Sequence, residues 1–365
     1  MKNIINELEN IAPICLAEKW DNVGLIIGDE NFKINRVLCA LDVTKEVLEK
    51  AISEKAELIM SHHPFIFRDI KNINMNDKLG ELIISAVKND INIYSAHTNL
   101  DFSDDGLNSF LLKKIGVKKI SNLLDYKTEN LYKIVVFVPE NSLDKVREAM
   151  AKCGAGFIGN YSHSSFYSQG TGTFLPMEGT DPYIGKKGVL ERTDEIKLET
   201  IVKKSDLDKI IDVMIKKHPY EEVAYDIYKL ENKNKAFGYG KIGILDKEIC
   251  IEKFLENLKY ILNLDKIVII KGKNKNIKKI GVFTGALDQK IIKKLNNKVD
   301  ILVTGDVKYH MAMDIKKIGL NVIDAGHFNT EIIAIELFEN IIKEKFKNIE
   351  IIKNDIEKNP FEFIE

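Results

Sequence analysis

The sequence predicts an α/β protein whose main domain is interrupted by a smaller insert, and three observations carry that prediction. From Arg36 to Thr98, short apolar runs alternate with segments of helical periodicity. The same alternation returns after about Gly240. Between them the order of patterns changes to β-α-β-β-α-β. Alternating strands and helices build a parallel sheet covered by helices, whereas the middle order is that of a ferredoxin-like domain. At 365 residues the chain exceeds one ordinary core and suggests two or three domains.

The elements follow in order. MKNIINELENIAP at the N-terminus is amphipathic and contains acids. RVLCALDV reads as a strand, KEVLEKAISEK as a helix, AELIMS as a strand, DKLGELIISAVKND as a helix and INIYSA as a strand. In the middle, KIVVFVP is a strand and SLDKVREAMAKCG a helix with Leu143, Val146, Met150 and Cys153 on one face. SSFYSQGTGTF and EIKLETIV follow as strands, then helical LDKIIDVMIKKH and strand EVAYDIYKL. After Gly240, KIGVFTGA, ILVTGD and NVIDAG read as strands separated by helical DQKIIKKLNNK and HMAMDIKKIG, with a long helical tail, TEIIAIELFENIIKEKF. This pattern puts a discontinuous α/β domain at 1–127 and 236–365 and a ferredoxin-type insert at 128–235. Within the insert, PMEGTDPYIGKKG at 176–188 is a loop long enough to be functional.

Composition removes several classes. Hydrophobic residues at 45% and charged residues at 30% are ordinary for a globular protein. The 54 basic and 55 acidic side chains nearly cancel, so no global field recruits nucleic acid or an anionic membrane. The lysines between Lys271 and Lys279 read as a solvated loop. No apolar run approaches the roughly 18 residues of a membrane span, and the N-terminus lacks the apolar core of a signal peptide. Cys15, Cys39, Cys153 and Cys250 form no CxxC pair, so neither a zinc ribbon nor a disulfide framework is indicated. The expected compartment is the reducing cytoplasm.

Four of the seven histidines fall just after predicted strands or at the start of the next helix: His62, His63, His97 and His327. The carboxyl ends of strands carry the sites of open α/β sheets. His97 shares its loop with Asp101, Asp104 and Asp105, and His327 precedes Glu331 by four residues, one helical turn. Taken singly, each motif has a bland reading as a strand-ending turn or a helix-start hydrogen bond. If all three land at the same edge of the sheet, they offer three or four imidazoles and two carboxylates around one point, a donor set suited to a pair of divalent ions. His310, four residues after Asp306, is a candidate to orient a ligand. His163 and His218 read as surface or packing residues. Gly170-Thr-Gly172 lacks the third glycine and helix of a dinucleotide loop, no GxxxxGK[ST] loop is present, and Ser61 lacks a nucleophile elbow. Neither a cofactor dehydrogenase nor a serine hydrolase is expected.

Several motifs together resemble the Nif-three-like dinuclear-metal proteins, also called the GTP cyclohydrolase I type 2 homologue family. They are Ala17-Glu-Lys-Trp20-Asp21-Asn22-Val-Gly24-Leu, Leu41-Asp42-Val-Thr44, Ser61-His62-His63-Pro64, His97-Thr-Asn-Leu-Asp101, Thr304-Gly-Asp306 and Gly326-His327 through Glu331. The resemblance covers nearly the full chain. It implies two divalent ions per subunit, of zinc, iron, manganese, nickel or cobalt, held by His62, His63, Asp101, His327 and Glu331 with Glu331 or Asp101 as the bridge. It leaves His97 as a further ligand or as a proton donor in catalysis. In the insert, Gly170-Thr-Gly-Thr-Phe174, Gly185-Lys-Lys-Gly188 and His218-Pro-Tyr-Glu-Glu222 resemble a domain similar to the PII and CutA regulatory folds. Such members resemble ring-shaped homohexamers. The implied activity is metal-dependent hydrolysis of GTP, another nucleotide or a phosphoester. The alternative is a non-catalytic metal-binding protein whose insert binds a small molecule or partner. One departure stands out: Thr284-Gly285-Ala-Leu-Asp288 has a single glycine where many relatives have a glycine-rich turn. That weakens the expectation of a substrate contact there and leaves the expected ligands untouched.

Overall fold

In a computed structural model, which describes residues 1–232 and 234–362, the chain divides into two compact units. Unit 1 comprises Met1–Lys127 and Phe237–Glu365, and unit 2 comprises Thr128–Ala236.

Unit 1 begins with α1 (Lys2–Ile11), β1 (Gly24–Ile27), β2 (Arg36–Ala40), α2 (Lys45–Ser53), β3 (Leu58–Ser61), α3 (Lys78–Lys88), β4 (Asn92–Ser95), α4 (Thr98–Phe102), α5 (Leu107–Ile115) and β5 (Lys118–Thr128). Helix starts follow local chemistry. Thr44 accepts from the Val47 amide at 3.3 Å to cap α2, and Asp77 accepts from Gly80 at 3.0 Å to cap α3. Unit 2 contains β6 (Leu131–Val138), α6 (Leu143–Lys152), β7 (Ser165–Phe174), β8 (Glu191–Lys203), α7 (Leu207–Lys217) and β9 (Tyr225–Lys229). Unit 1 resumes with β10 (Ala236–Cys250), α8 (Ile251–Leu262), β11 (Val268–Ile270), β12 (Asn276–Ala286), α9 (Gln289–Ile292), β13 (Ile301–Gly305), α10 (Tyr309–Ile318), β14 (Asn321–Asp324), α11 (His327–Glu331), α12 (Ile333–Lys345) and β15 (Glu350–Ile352).

Two sheets form unit 1. The first has the order β1-β4-β3-β2-β15, with β15, β2, β3 and β4 parallel and β1 antiparallel at the edge. The second has the order β11-β14-β13-β12-β10-β5, with β12, β13 and β14 parallel. All four residues of β3 and β4 are buried, as expected of parallel strands covered on both faces. A core spanning Val37, Met60, Ile280, Val303, Ile323 and Phe338 joins residues of both sheets.

The sequence patterns located β2 to β4 and β12 to β14 but missed β1, β5, β10, β11 and β15, and also α5 and α8. The small strands are edge pairings of three or four residues, too short to show periodicity. The expectation that the histidine loops share one sheet edge is corrected: they leave two different sheets of unit 1. Periodicity marks a strand without telling which sheet it joins.

Unit 2 is a four-stranded antiparallel sheet of order β7-β8-β6-β9. Its own core comprises Ile134, Val136, Leu198 and Val202 packed against Val146, Met150, Ile210 and Met214 of α6 and α7. No described helix is long and apolar enough to cross a membrane.

Candidate metal centre

At the carboxyl end of β3 the chain continues into His62 and His63, whose amides still donate to Ala40 and Leu41 at 3.2 and 2.9 Å. Ser61 and Ser95, at the ends of β3 and β4, share a hydroxyl hydrogen bond of 2.8 Å that holds the two loops together. After β4, His97 caps the short helix α4, which carries Asp101, and His327 and Glu331 begin and end α11 after β14. Because α11 starts at His327, the spacing of four puts imidazole and carboxylate on one face. His327 Nε2 is 2.8 Å from Glu331 Oε2.

All six residues converge. Three groups have ligand atoms within 4.8 Å of one another: His62, His63 and His97; His63, His327 and Glu331; and His62, Asp101 and Glu331. Glu331 belongs to the last two, and its oxygens are divided between them. Oε2 lies 2.9 Å from His63 Nε2 and 2.8 Å from His327 Nε2, while Oε1 faces His62 Nε2 at 3.7 Å. Asp101 Oδ1 is 3.9 Å from the same His62 nitrogen.

The four imidazoles are oriented in one way. Each has its Nδ1 on an oxygen acceptor: His62 on the Ala96 carbonyl at 2.8 Å, His63 on Asp42 at 2.8 Å, His97 on Asp21 at 2.9 Å and His327 on Asp306 at 2.8 Å. A carbonyl can only accept, so His62 carries its proton on Nδ1 and leaves an Nε2 lone pair. That Nε2 is fully buried and has no hydrogen-bond partner, an arrangement that costs stability unless something fills it. An imidazole held by an acceptor on one nitrogen and bare on the other is the form that binds a cation. The residues present therefore fit a divalent metal.

The ionisation directions agree. Burial disfavours the Glu331 charge, but the hydrogen bonds from His327 and His63 and the nearby His62 ring outweigh it and hold the carboxyl well below its usual range. Burial likewise opposes the His63 cation, yet Asp42 and Glu331 raise its pKa to about 10. Glu331 and Asp306 raise His327 to about 9 against burial. Asp101 is pushed up by burial, opposed by His62, and accepts from Thr284 Oγ1 at 3.3 Å.

Sequence reasoning placed these six residues but did not give Asp21 or Asp42 a role, although both stand in the quoted motifs. Their partners are distant in the chain, and an aspartate after a strand reads as a turn residue. The expectation for His310 is corrected: it is exposed, with its ring against Tyr309, and Asp306 orients His327 directly. Asp306 adopts φ 55, a left-handed conformation that aspartate tolerates, directly after β13. The turn at Thr284-Gly285 also proves adjacent to the ligands. A Cβ on Gly285 would lie 2.1 Å from Glu331 Oε1. His218 is buried and packed, and His163 is exposed.

At the rim of the cluster stand two exposed aromatics, Trp20 at 57% and Phe67 at 51%. Their ring centroids are 5.7 Å apart, and Trp20 meets the His97 ring edge-on at 6.0 Å. The segment carrying Trp20 is pinned on both sides. The Glu18 amide donates to Thr98 Oγ1 at 2.9 Å, Asp21 accepts from the Thr98 amide at 3.0 Å, and Asn22 Nδ2 donates to the Ile66 carbonyl at 2.7 Å.

The family model described as Duf34/NIF3 (NGG1p interacting factor 3) matches residues 1–360. The chain belongs to the Duf34/NIF3 family. A relative from Halalkalibacterium halodurans called "GTP cyclohydrolase 1 type 2 homolog" is 42% identical, covering 100% of this chain and 98% of that protein. A Bacillus subtilis relative of the same name is 37% identical over the same shares of both chains. Among solved structures, a Bacillus cereus protein related to NIF3 superposes with a TM-score of 0.82 at 39% identity, over 99% of this chain and 98% of the other. Staphylococcus aureus protein SA1388 gives 0.73 at 28% identity, over 100% of this chain and 99% of the other.

Proposed function

We propose that this family member is a metal-dependent hydrolase of a nucleotide or related phosphoester, with two divalent ions held by His62, Asp101, His63, His327 and a bridging Glu331. The observation that carries this reading is the orphaned Nε2 of His62, which faces two carboxylates across a gap of 3.7 and 3.9 Å. The split of the Glu331 oxygens favours Glu331 over Asp101 as the bridge. Imidazole with carboxylate accepts zinc, iron, manganese, nickel or cobalt. Ions held there supply Lewis acidity toward a carbon or phosphorus centre and make water nucleophilic near neutral pH.

The chain's own groups do the rest. His97, which has Nδ1 committed to Asp21 and is absent from the five-residue ligand set of this reading, is assigned the proton transfer at the substrate through Nε2. Trp20 and Phe67 offer apolar faces beside it on which a planar base can stack. The relatives' shared name makes GTP the first substrate to try. Unit 2, with strand order β7-β8-β6-β9, is read as a ferredoxin-type insert spanning 128–235.

The test is turnover of GTP and of a simple phosphoester by the metal-loaded full chain. Turnover should require metal and disappear in Glu331→Ala. It should fall on the order of 100-fold in His97→Gln without loss of metal. Absence of any metal-dependent turnover, or turnover unaltered in Glu331→Ala, would sink the hydrolase reading.

A further inference from the structure

Unit 2 holds a cavity of about 630 Å³ within which none of the metal-centre residues lies. That volume is in the range of small-molecule sites. Its roof is the 176–188 loop, which is strapped rather than loose. The Gly188 amide donates to the Pro176 carbonyl at 2.8 Å, closing the loop's base. The Asp181 amide donates to both oxygens of Glu221, at 2.9 and 3.1 Å.

Aromatic walls and one buried acid define the chemistry inside. Tyr220 stands between Phe174 and Tyr183, with ring centroids 6.2 and 6.0 Å away. His218 mounts it: Nε2–H donates to the Phe137 carbonyl at 2.9 Å, and Nδ1 accepts from the Tyr220 amide at 3.1 Å. Burial lowers the His218 pKa, so the neutral ring this requires is the favoured one. Glu195, also lining the cavity, is only 9% exposed. Its carboxylate lies across Gly172, where any Cβ would sit 2.1 Å from Oε2, so the residue at 172 is constrained by the acid's position. The Tyr220 hydroxyl is buried beside the Glu195 carboxylate, and burial together with that acid raises its pKa.

A charge inventory leaves Glu195 with a neutral neighbour, the Tyr220 hydroxyl, and no countercharge. Lys197, on the same side of β8 two residues on, is paired with Glu199 at 3.3 Å. The Glu221 carboxylate is occupied by the Asp181 amide. Among the described residues no cationic side chain pairs with Glu195. Buried carboxylates are ordinarily paired with a cation, and aromatic faces attract the same kind of group.

We propose that this cavity binds a small organic cation, an ammonium on an apolar or aromatic body, with its N–H groups on Glu195 and its body against Phe174, Tyr183 and Tyr220. The bound cation supplies the countercharge to the acid beside the Tyr220 hydroxyl. The site is independent of the metal centre and gives unit 2 a ligand-sensing role.

Calorimetric titration of the full chain with phenethylammonium, and with the uncharged isostere 2-phenylethanol, tests the idea. The ammonium should bind saturably and the alcohol on the order of tenfold more weakly or not at all. Glu195→Gln should weaken ammonium binding by a similar factor, and Tyr183→Ala by several-fold, with the circular dichroism spectrum unchanged. Tyr183 is 54% exposed, so its truncation tests the site even if Glu195→Gln disturbs folding. Equal binding of the two probes, undiminished binding in well-folded Glu195→Gln, or no saturable ammonium binding by wild type would each overturn the proposal.

Discussion

The candidate metal centre is prepared by the second nitrogen of each imidazole. Asp21, Asp42, Asp306 and the Ala96 carbonyl each occupy an Nδ1, so the Nε2 atoms are left for the cluster. Without metal, His63 and His327 titrate near 10 and 9, well above the ordinary 6.5. Metal must displace those protons. Affinity should therefore weaken as pH falls below about 9, by about tenfold per pH unit for each proton displaced, and loading at pH 7 should release protons measurable in weakly buffered solution. The sign for stability is opposite in the metal-free protein. Raised histidine pKa values stabilise the fold fully below pH 6.5, and that contribution is lost as pH rises through 9 to 10. A pH series of metal-free melts that rises over this window would contradict the arrangement. At this scale the ligands were legible because histidine after a strand is unusual chemistry. Asp21 and Asp42 were not, because their partners lie 76 and 21 residues away and nothing local marks the pairing.

Strand ends and tight turns set the position of the ligands. The irregular turn at the end of β12 presses Gly285 against Glu331, with the Gly285 amide donating to Thr330 Oγ1 at 3.0 Å. Gly285 also has φ +67, where an L side chain is strained. Gly285→Ala should therefore displace Glu331 and cost the protein its bound metal, while a loss of about 1–2 kcal/mol leaves it folded. Metal retention in a folded Gly285→Ala protein would show that Glu331 is not held by this turn. The sequence marked this turn only as a departure in glycine content. The missing information was spatial, since β12 and α11 meet 45 residues apart. Most of the helices and the central parallel strands were legible because each buries a periodic or continuous apolar set. Edge strands such as β1 and β15 were not, being defined by partners rather than by pattern.

Over the whole molecule, unit 1 gathers histidines and carboxylates delivered by two sheets into groups that could hold metal, while unit 2 has a separate core. Ligand binding stabilises only what it bridges. Metal loading should slow amide exchange in the loops after β3, β4 and β14 and leave the β6 and β8 amides of unit 2 unchanged. Uniform protection across both units would contradict this. The division into a repeated α/β pattern and a βαββαβ stretch was visible in the order of apolar periods, because each stretch must cover its own sheet. The existence of two sheets in unit 1 was not, since a core such as Val37, Ile280 and Phe338 forms only when distant segments meet.

The central claim is that His62, His63, Asp101, His327 and Glu331 hold metal. Elemental analysis of the folded full chain, wild type beside Glu331→Ala, tests it most directly. The account predicts about two divalent ions per chain in the wild type and loss of most of both in Glu331→Ala, because that one carboxylate faces both groups of ligands. A wild-type chain that takes up no zinc, iron, manganese, nickel or cobalt, or a Glu331→Ala chain that keeps its full complement, would contradict it.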